Sequence, residues 1–373
     1  MRFLHTADWH LGKKLHGFDL QAEQQAAYEQ ILKLALDEQV DAVVIAGDLY
    51  DRAIPNETAV KQLNSMLMDM NLTHQLPLLA ISGNHDSAAR LRTGSAWFKA
   101  TNFYLNTKLS QAFTPIVMGD TQFYLLPYFE PFEARQYFED DDLRTVQQAM
   151  VKIVAAMQAT FDPDKKHVLV AHFFAAGSEH VDSETQVTVG GLNAIPVDLL
   201  APFDYVALGH LHGKDALQAE RVRYSGSPVK FSVSEATQTK GVWIVDTDPF
   251  KLTFKPLTPI RDVRVLTGSF EELTTPAFYQ QQAQDDYLAV QLTDRRVIPN
   301  VMQALRAVYP HIIELERVNG PVLTNNPATK IDPNLDPMTL LAKFFEQTTD
   351  DDLTDQQQQW AQTALTAAMK EEG

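Results

Sequence analysis

Five short segments of this chain each run from an apolar stretch into side chains that bind hard divalent cations. They are FLHTADWH with Asp8 and His10, VVIAGDLYDR with Asp48, LLAISGNHD with Asn84 and His85, VLVAHFF with His172, and YVALGHLH with His210 and His212. One Asp after a strand-like run means little, because Asp is common at helix N-caps. The GNHD string and the His doublet at i, i+2, whose side chains share one side of an extended backbone, raise the odds sharply. Oxygen and imidazole donors without sulfur suit Mn or Fe more than calcium, although affinity order alone favours zinc. Two cations about 4 Å apart can clamp the attacking and leaving oxygens of a phosphoryl centre and turn bound water into a nucleophile. Such a pair needs a shared carboxylate, and Asp48 is the candidate.

The elements that must position these residues follow from hydrophobic periodicity. Arg2–Ala7, Ala42–Ala46, Leu76–Ile81, Phe123–Pro127, Val168–Ala171 and Tyr205–Leu208 read as strands. Between the first of them, Leu20, Ala27, Ile31 and Leu34 share one helical face, and another helix is expected around 58–70. Gly47, Gly83 and Gly209 directly precede candidate ligands and permit a tight turn that swings the next side chain over the sheet edge. In open α/β folds, sites collect beyond the carboxyl ends of strands. After His212 the short runs Val222–Tyr224, Gly241–Val245 and Leu252–Phe254 read as antiparallel structure. Two packed sheets flanked by helices are expected over residues 1–260.

From about Asp262 the composition shifts. Three strands and a helix over 299–308 give a small α/β cap at 261–320, followed by a Pro- and Asn-rich linker at 321–337. Residues 338–373 have helical periodicity with an apolar stripe, and either dock on a partner or fold back on their own domain. The stretch Ala88–Phe98, with Arg90 and Arg92, reads as an amphipathic helix: part of a dimer face, a DNA contact or plain surface. His5, His16, His74, His167, His180 and His311 lie outside the motifs and read as surface or structural.

Composition bounds the partners. Apolar residues at 45% and charged residues at 21% describe an ordinary globular protein, and the absence of cysteine excludes disulfides, thiolate nucleophiles and zinc–sulfur sites. No stretch approaches the roughly 20 apolar residues that cross a bilayer, and the N-terminus lacks a signal-peptide pattern, so no membrane and a cytoplasmic location are expected. A net charge of −17 repels phosphate at long range, which disfavours a free-standing DNA-binding module. Cations and local Arg/Lys groups would have to bind nucleic acid, or another subunit would supply the groove.

The order DWH, GDLYDR, GNHD, AHFFAAG and GHLH resembles the calcineurin-like metallophosphoesterase superfamily, and within it bacterial nucleases that process DNA ends. The resemblance implies a four-layer αββα sandwich with a small α/β capping domain and a C-terminal helical tail. It implies one metal on Asp8, His10, Asp48 and His212, a second on Asp48, Asn84, His172 and His210, and His85 as the catalytic imidazole. Archaeal and eukaryotic nucleases of this family carry His three residues after the shared Asp, where this chain has Asp51. Phosphatases of the superfamily share the GDxxDR string, so Asp51 is expected to hydrogen-bond His85 and raise its basicity, and Arg52 to sit near the substrate. Purple acid phosphatases place Tyr three after that Asp; Tyr50 is two after it, which disfavours a tyrosinate-bound iron. The resemblance further implies Mn2+, exonuclease action on duplex ends and endonuclease action on hairpins or single strands. Its implied assembly is a homodimer joined to an SMC-like ATPase in a heterotetramer. The rivals are a phosphatase or cyclic-nucleotide phosphodiesterase with the same metal kit, and a non-catalytic scaffold.

Overall fold

A computed structural model describes residues 1–179, 182–184, 194–295, 298–318, 335–349 and 352–371. Its strands in chain order are β1 (Arg2–Thr6), β2 (Lys14–Leu15), β3 (Phe18–Asp19), β4 (Ala42–Ala46), β5 (Leu78–Ile81), β6 (Phe103–Asn106), β7 (Ile116–Met118) and β8 (Thr121–Leu126). They continue as β9 (Lys166–His172), β10 (Tyr205–Gly209), β11 (Val222–Tyr224), β12 (Gly241–Thr247), β13 (Phe250–Pro256), β14 (Val263–Gly268), β15 (Tyr287–Leu292) and β16 (Ile312–Arg317). The chain divides into two compact units, Met1–Arg264 and Val265–Gly373.

In the first unit a six-stranded sheet of order β13-β12-β1-β4-β5-β6 stacks on a five-stranded sheet of order β11-β10-β9-β8-β7. The strict two-residue alternation of side chains builds the layers. In β4, Val43 and Ile45 face the helices Gln21–Asp37 and Glu57–Met68, while Ala42, Val44 and Ala46 enter the layer between the sheets. In β9, Val168 and Val170 meet that same layer from the other side, and Leu169 and Ala171 face the helix Val146–Gln158. Both faces of each central strand are therefore apolar, as strands covered on two sides must be. The result is the expected αββα sandwich.

β1, β4, β5 and β6 run parallel, as do β8, β9, β10 and β11. Parallel strands put their carboxyl ends on one side, and every motif lies at such an end. One expectation is corrected here. β11 does not join an antiparallel group with β12 and β13; Val222–Tyr224 pairs parallel with Val206–Leu208 in the second sheet. Val222 and Tyr224 are buried on one face and Arg223 is half-buried on the other, and closeness in sequence says nothing about which sheet supplies the partner.

The single helix expected over 88–98 is two short turns, Ala88–Leu91 and Ser95–Phe98, broken at Gly94, whose φ of 83° is left-handed. The expected helix at 299–308 spans Val301–Arg306. In the second unit, β14, β15 and β16 form a three-stranded sheet whose core holds Leu266, Leu273, Leu288, Val290, Leu305 and Tyr309. The helices Pro337–Thr349 and Asp355–Glu371 follow, with Phe344 and Trp360 exposed. Of the expected linker 321–337, residues 321–334 lie outside the described residues, as does His180. No helix among the described residues is long and apolar enough to cross a membrane.

Candidate metal centre

The loops after β1 and β4 are zipped together, with Asp8 N–H donating to Gly47 O at 3.0 Å and His10 N–H to Asp48 O at 2.9 Å. The backbone here is tight: Asp8, His10 and Asp48 in these loops, and His210 after β10, all have positive φ, between 44° and 100°. Non-glycine residues rarely adopt that region, and when they do the surroundings must hold them there. Here the purpose is visible, since each bend turns a side chain inward. Gly47 fits its expected role, with φ at 92°. Gly83 and Gly209 do not; they are needed for close approach. A Cβ on Gly83 would lie 2.2 Å from Asp48 Oδ1, and one on Gly209 would lie 2.0 Å from Ala46 O.

The folding brings Asp8, His10, Asp48, Asn84, His172, His210 and His212 into one cluster, buried except at the half-buried Asn84. Asp48 Oδ2 stands at its centre, 3.5 Å from His10 Nε2 and 3.2 Å from His172 Nε2. On one side, His10 Nε2 faces His212 Nε2 at 3.1 Å. On the other, Asn84 Oδ1 lies 2.9 Å from His172 Nε2 and 3.0 Å from His210 Nδ1. Metal-type atoms of Asp8, His10 and Asp48 all fall within 4.8 Å of one another. Asp8 Oδ1 accepts from His210 N–H at 2.9 Å, whereas its Oδ2 is buried with no hydrogen-bond partner.

Electrostatics sharpen the picture. Burial opposes charge on Asp48, but the rings of His172 and His10 outweigh it and hold the carboxyl well below the usual range. Burial likewise works against charge on His172, yet Asp48 overrides it and lifts the ring to about 9. Burial lowers His10 well below the imidazole range and His210 to about 3, so these rings stay neutral with lone pairs available. Asp8 is pushed up by burial and by Asp48. Buried carboxylates are costly unless paired or bound to cations, and an unpartnered carboxylate oxygen beside two facing ring nitrogens is a donor set that fits a divalent cation.

Around this cluster the chain fixes orientation. His172 Nδ1 donates to Ala46 O at 2.8 Å, which turns Nε2 towards Asp48. Asp86 accepts from Leu49, Tyr50 and Gly83 N–H groups at 3.0–3.1 Å and so ties two motif loops together. Sequence reasoning passed over Asp86, although it ends GNHD. Ser183, Glu184, Glu235 and Lys240 also reach His212, and no spacing in the sequence signals them.

His85 lies at the margin of the cluster, its ring 4.8 Å from that of His10. Asp51 meets it differently from the expectation. His85 Nδ1 donates to the Asp51 backbone carbonyl at 2.8 Å, not to its carboxylate. That carboxylate turns instead to Lys13 at 3.0 Å and Arg52 at 3.3 Å, two cations that hold it on their own side. Arg52, at 75% side-chain exposure, is engaged with Asp51 at the rim of the cluster.

Stacked α/β sheets with oxygen and nitrogen donors converging at parallel strand ends define a metallophosphoesterase, and a model of calcineurin-like phosphoesterases matches residues 1–214. A second model, described as the type 5 capsule protein repressor C-terminal domain, matches residues 259–349. The chain is 33% identical to the D subunit of nuclease SbcCD from Staphylococcus epidermidis, covering 100% of both chains. It is also 33% identical to the same protein of Staphylococcus saprophyticus, over 100% of this chain and 99% of the other. A dimetal phosphatase from Danio rerio is a remote structural likeness at 11% identity and TM-score 0.40, covering 69% of this chain and 95% of that one. The chain belongs to the SbcD family of metallophosphoesterase nucleases. It is accordingly a metal-dependent phosphodiesterase, and its fold implies divalent metal ions.

Proposed function

We propose that the cluster holds two divalent cations, Mn2+ in the cell, one on Asp8, His10, Asp48 and His212 and the other on Asp48, Asn84, His172 and His210. The observation that carries this reading is the position of Asp48 Oδ2 between His10 and His172, at 3.5 and 3.2 Å. When bound, such a pair activates water and neutralises charge on the phosphoryl group. The chain's own residues do the rest. The Asp51 carbonyl accepts a hydrogen bond from His85 Nδ1–H, so Nε2 is the ring atom that can pass a proton to the departing oxygen. Lys13 and Arg52, drawn to Asp51, place positive charge at the rim where the substrate's phosphates arrive.

The substrate is DNA, cut as an exonuclease at duplex ends and as an endonuclease at hairpins or single strands. The net charge of −17 argues that a partner supplies most of the DNA groove. The relatives' name, which makes them the D component of a nuclease called SbcCD, supports an SbcC-type SMC-like ATPase as that partner. A homodimer of this chain with two such ATPases makes a cytoplasmic heterotetramer, in which ATP-driven opening gates access to the metals. A 261–320 cap and a 338–373 partner-binding segment serve this assembly better than they serve a small-molecule phosphatase. The test compares Mn2+-supported cleavage of a blunt labelled duplex and a hairpin with hydrolysis of p-nitrophenyl phosphate esters. Cleavage of both DNAs is expected; turnover of the monoester alone would favour the phosphatase reading. Hairpin cleavage by the isolated chain at the full rate of the complex would refute gating.

A further inference from the structure

The two halves of the cluster are oriented by different means. On the His172 side the ring is fixed by a backbone carbonyl, Ala46 O. On the His212 side it is fixed by a chain of side chains. Ser183 Oγ lies 2.7 Å from His212 Nδ1 and 2.5 Å from Glu235 Oε1. Glu235 is fully buried at the end of a short turn, Val233–Glu235, and Lys240 Nζ forms an ion pair with its Oε2 at 2.5 Å. Burial opposes the charge on Glu235, and Lys240 outweighs it, holding the carboxyl well below the usual range. A carboxylate can only accept, so the Ser183 hydroxyl donates to Glu235 and its oxygen must accept from His212 Nδ1–H. Lys240 also donates to His212 O at 2.8 Å, and Glu184 Oε1 accepts from His212 N–H at 2.5 Å. The ring and the backbone of His212 are thus gripped together.

We propose that Ser183, Glu235 and Lys240 act as positioning residues that lock His212 as its Nδ1–H tautomer, with Nε2 presented to His10, and that they thereby set cation affinity in the His10/His212 half alone. The proposal rests on the two-ion reading for its second clause only. No motif contains these three residues; Glu235 and Lys240 come from the connection between β11 and β12, and Ser183 from the long connection between β9 and β10. A hydrogen bond to the far nitrogen of a metal-facing imidazole fixes tautomer and ring angle, and its loss costs about 10- to 100-fold in metal affinity.

Ser183→Ala removes the acceptor and leaves Glu235 Oε1 3.8 Å from His212 Nδ1, too far for a direct hydrogen bond. Ser183→Thr restores the hydroxyl. The first readout is the tautomer of His212 in the metal-free full-length chain, from histidine-selective 15N NMR. A single Nδ1–H form is expected in wild type and Ser183→Thr, and a mixture in Ser183→Ala. The second readout is Mn2+ titration, where one of two binding steps should weaken about 10- to 100-fold in Ser183→Ala while the other holds. An unchanged tautomer in Ser183→Ala overturns the proposal, and so does equal weakening of both steps. A wild-type chain that takes up a single Mn2+ overturns the two-ion reading and the claim about one half, while the tautomer still decides whether the three residues position the ring.

Discussion

Gly83→Ala is the smallest change that reaches the centre of the account. Gly83 is not in the left-handed region, so its backbone tolerates alanine; the obstacle is space. The new methyl would lie 2.2 Å from Asp48 Oδ1, 2.5 Å from Asp48 N and 2.7 Å from Asp48 Cγ, where ordinary contact begins at 3.4 Å. Relief requires Asp48 Oδ1 to withdraw by about 1.2 Å and Asp48 N by about 0.9 Å, the differences between 3.4 Å and the 2.2 and 2.5 Å distances. The same withdrawal breaks the His85 N–H bond to Oδ1, now 2.9 Å. Overpacking of this kind costs about 1–3 kcal/mol of stability. Metal–ligand distances tolerate only about 0.2 Å, so both cations should lose a shared ligand. Mn2+ affinity is expected to fall at least about a hundredfold, near 3 kcal/mol, in both steps of a calorimetric titration. Gly119→Ala is the control, because Gly119 has φ of 57° and nothing within 4 Å of a built Cβ. It should lose about 1 kcal/mol of stability and no affinity for Mn2+. Wild-type Mn2+ binding by a folded Gly83→Ala chain would refute the reasoning about Asp48.

Three further outcomes follow from the geometry. His85→Leu should keep its Mn2+ content, since His85 contributes no donor in the proposed ligand set, while DNA cleavage falls by about 10²–10⁴-fold; retained turnover would remove His85 from the mechanism. Arg52→Ala should raise KM for DNA with kcat little changed, because Arg52 is at the rim with 75% of its side chain exposed; an unchanged KM would leave it a surface ion pair with Asp51. His5 is fully buried against Tyr205 Oη at 2.9 Å, and burial holds its ring down to about 3. Above pH 6.5 folded and unfolded chains both keep it neutral, so its contribution is intact. As pH falls from 6.5 towards 3 only the unfolded chain takes up the proton, which removes about 2 kcal/mol of stability at pH 5. His5→Gln should flatten the difference between denaturation at pH 7 and pH 5 by about that amount, and an unchanged slope would contradict the assignment.

The sequence was most legible where local rules decide. The unbroken apolar runs Ala42–Ala46 and Val168–Ala171 marked strands, and the ligand-type residues directly after such runs converge because parallel strands end on one side. Pairing across the chain was less legible. Val222–Tyr224 joins β10 because the second sheet offers a free parallel edge, which no neighbouring residue encodes. Gly83 and Gly209 were read as turn formers, yet their role is to let Asp48 and Ala46 approach from another loop. Asp51 pairs with Lys13, 38 positions away in sequence, and gives His85 only its carbonyl. The grip on His212 was invisible for the same reason: Ser183, Glu235 and Lys240 meet it only through tertiary packing.

Anomalous diffraction from crystals soaked in Mn2+ tests the two-cation reading most directly. Two peaks about 4 Å apart are expected, both within bonding distance of Asp48, one also bound by His10 and His212 and the other by His172 and His210. A single peak, or two peaks with no common carboxylate, would contradict it.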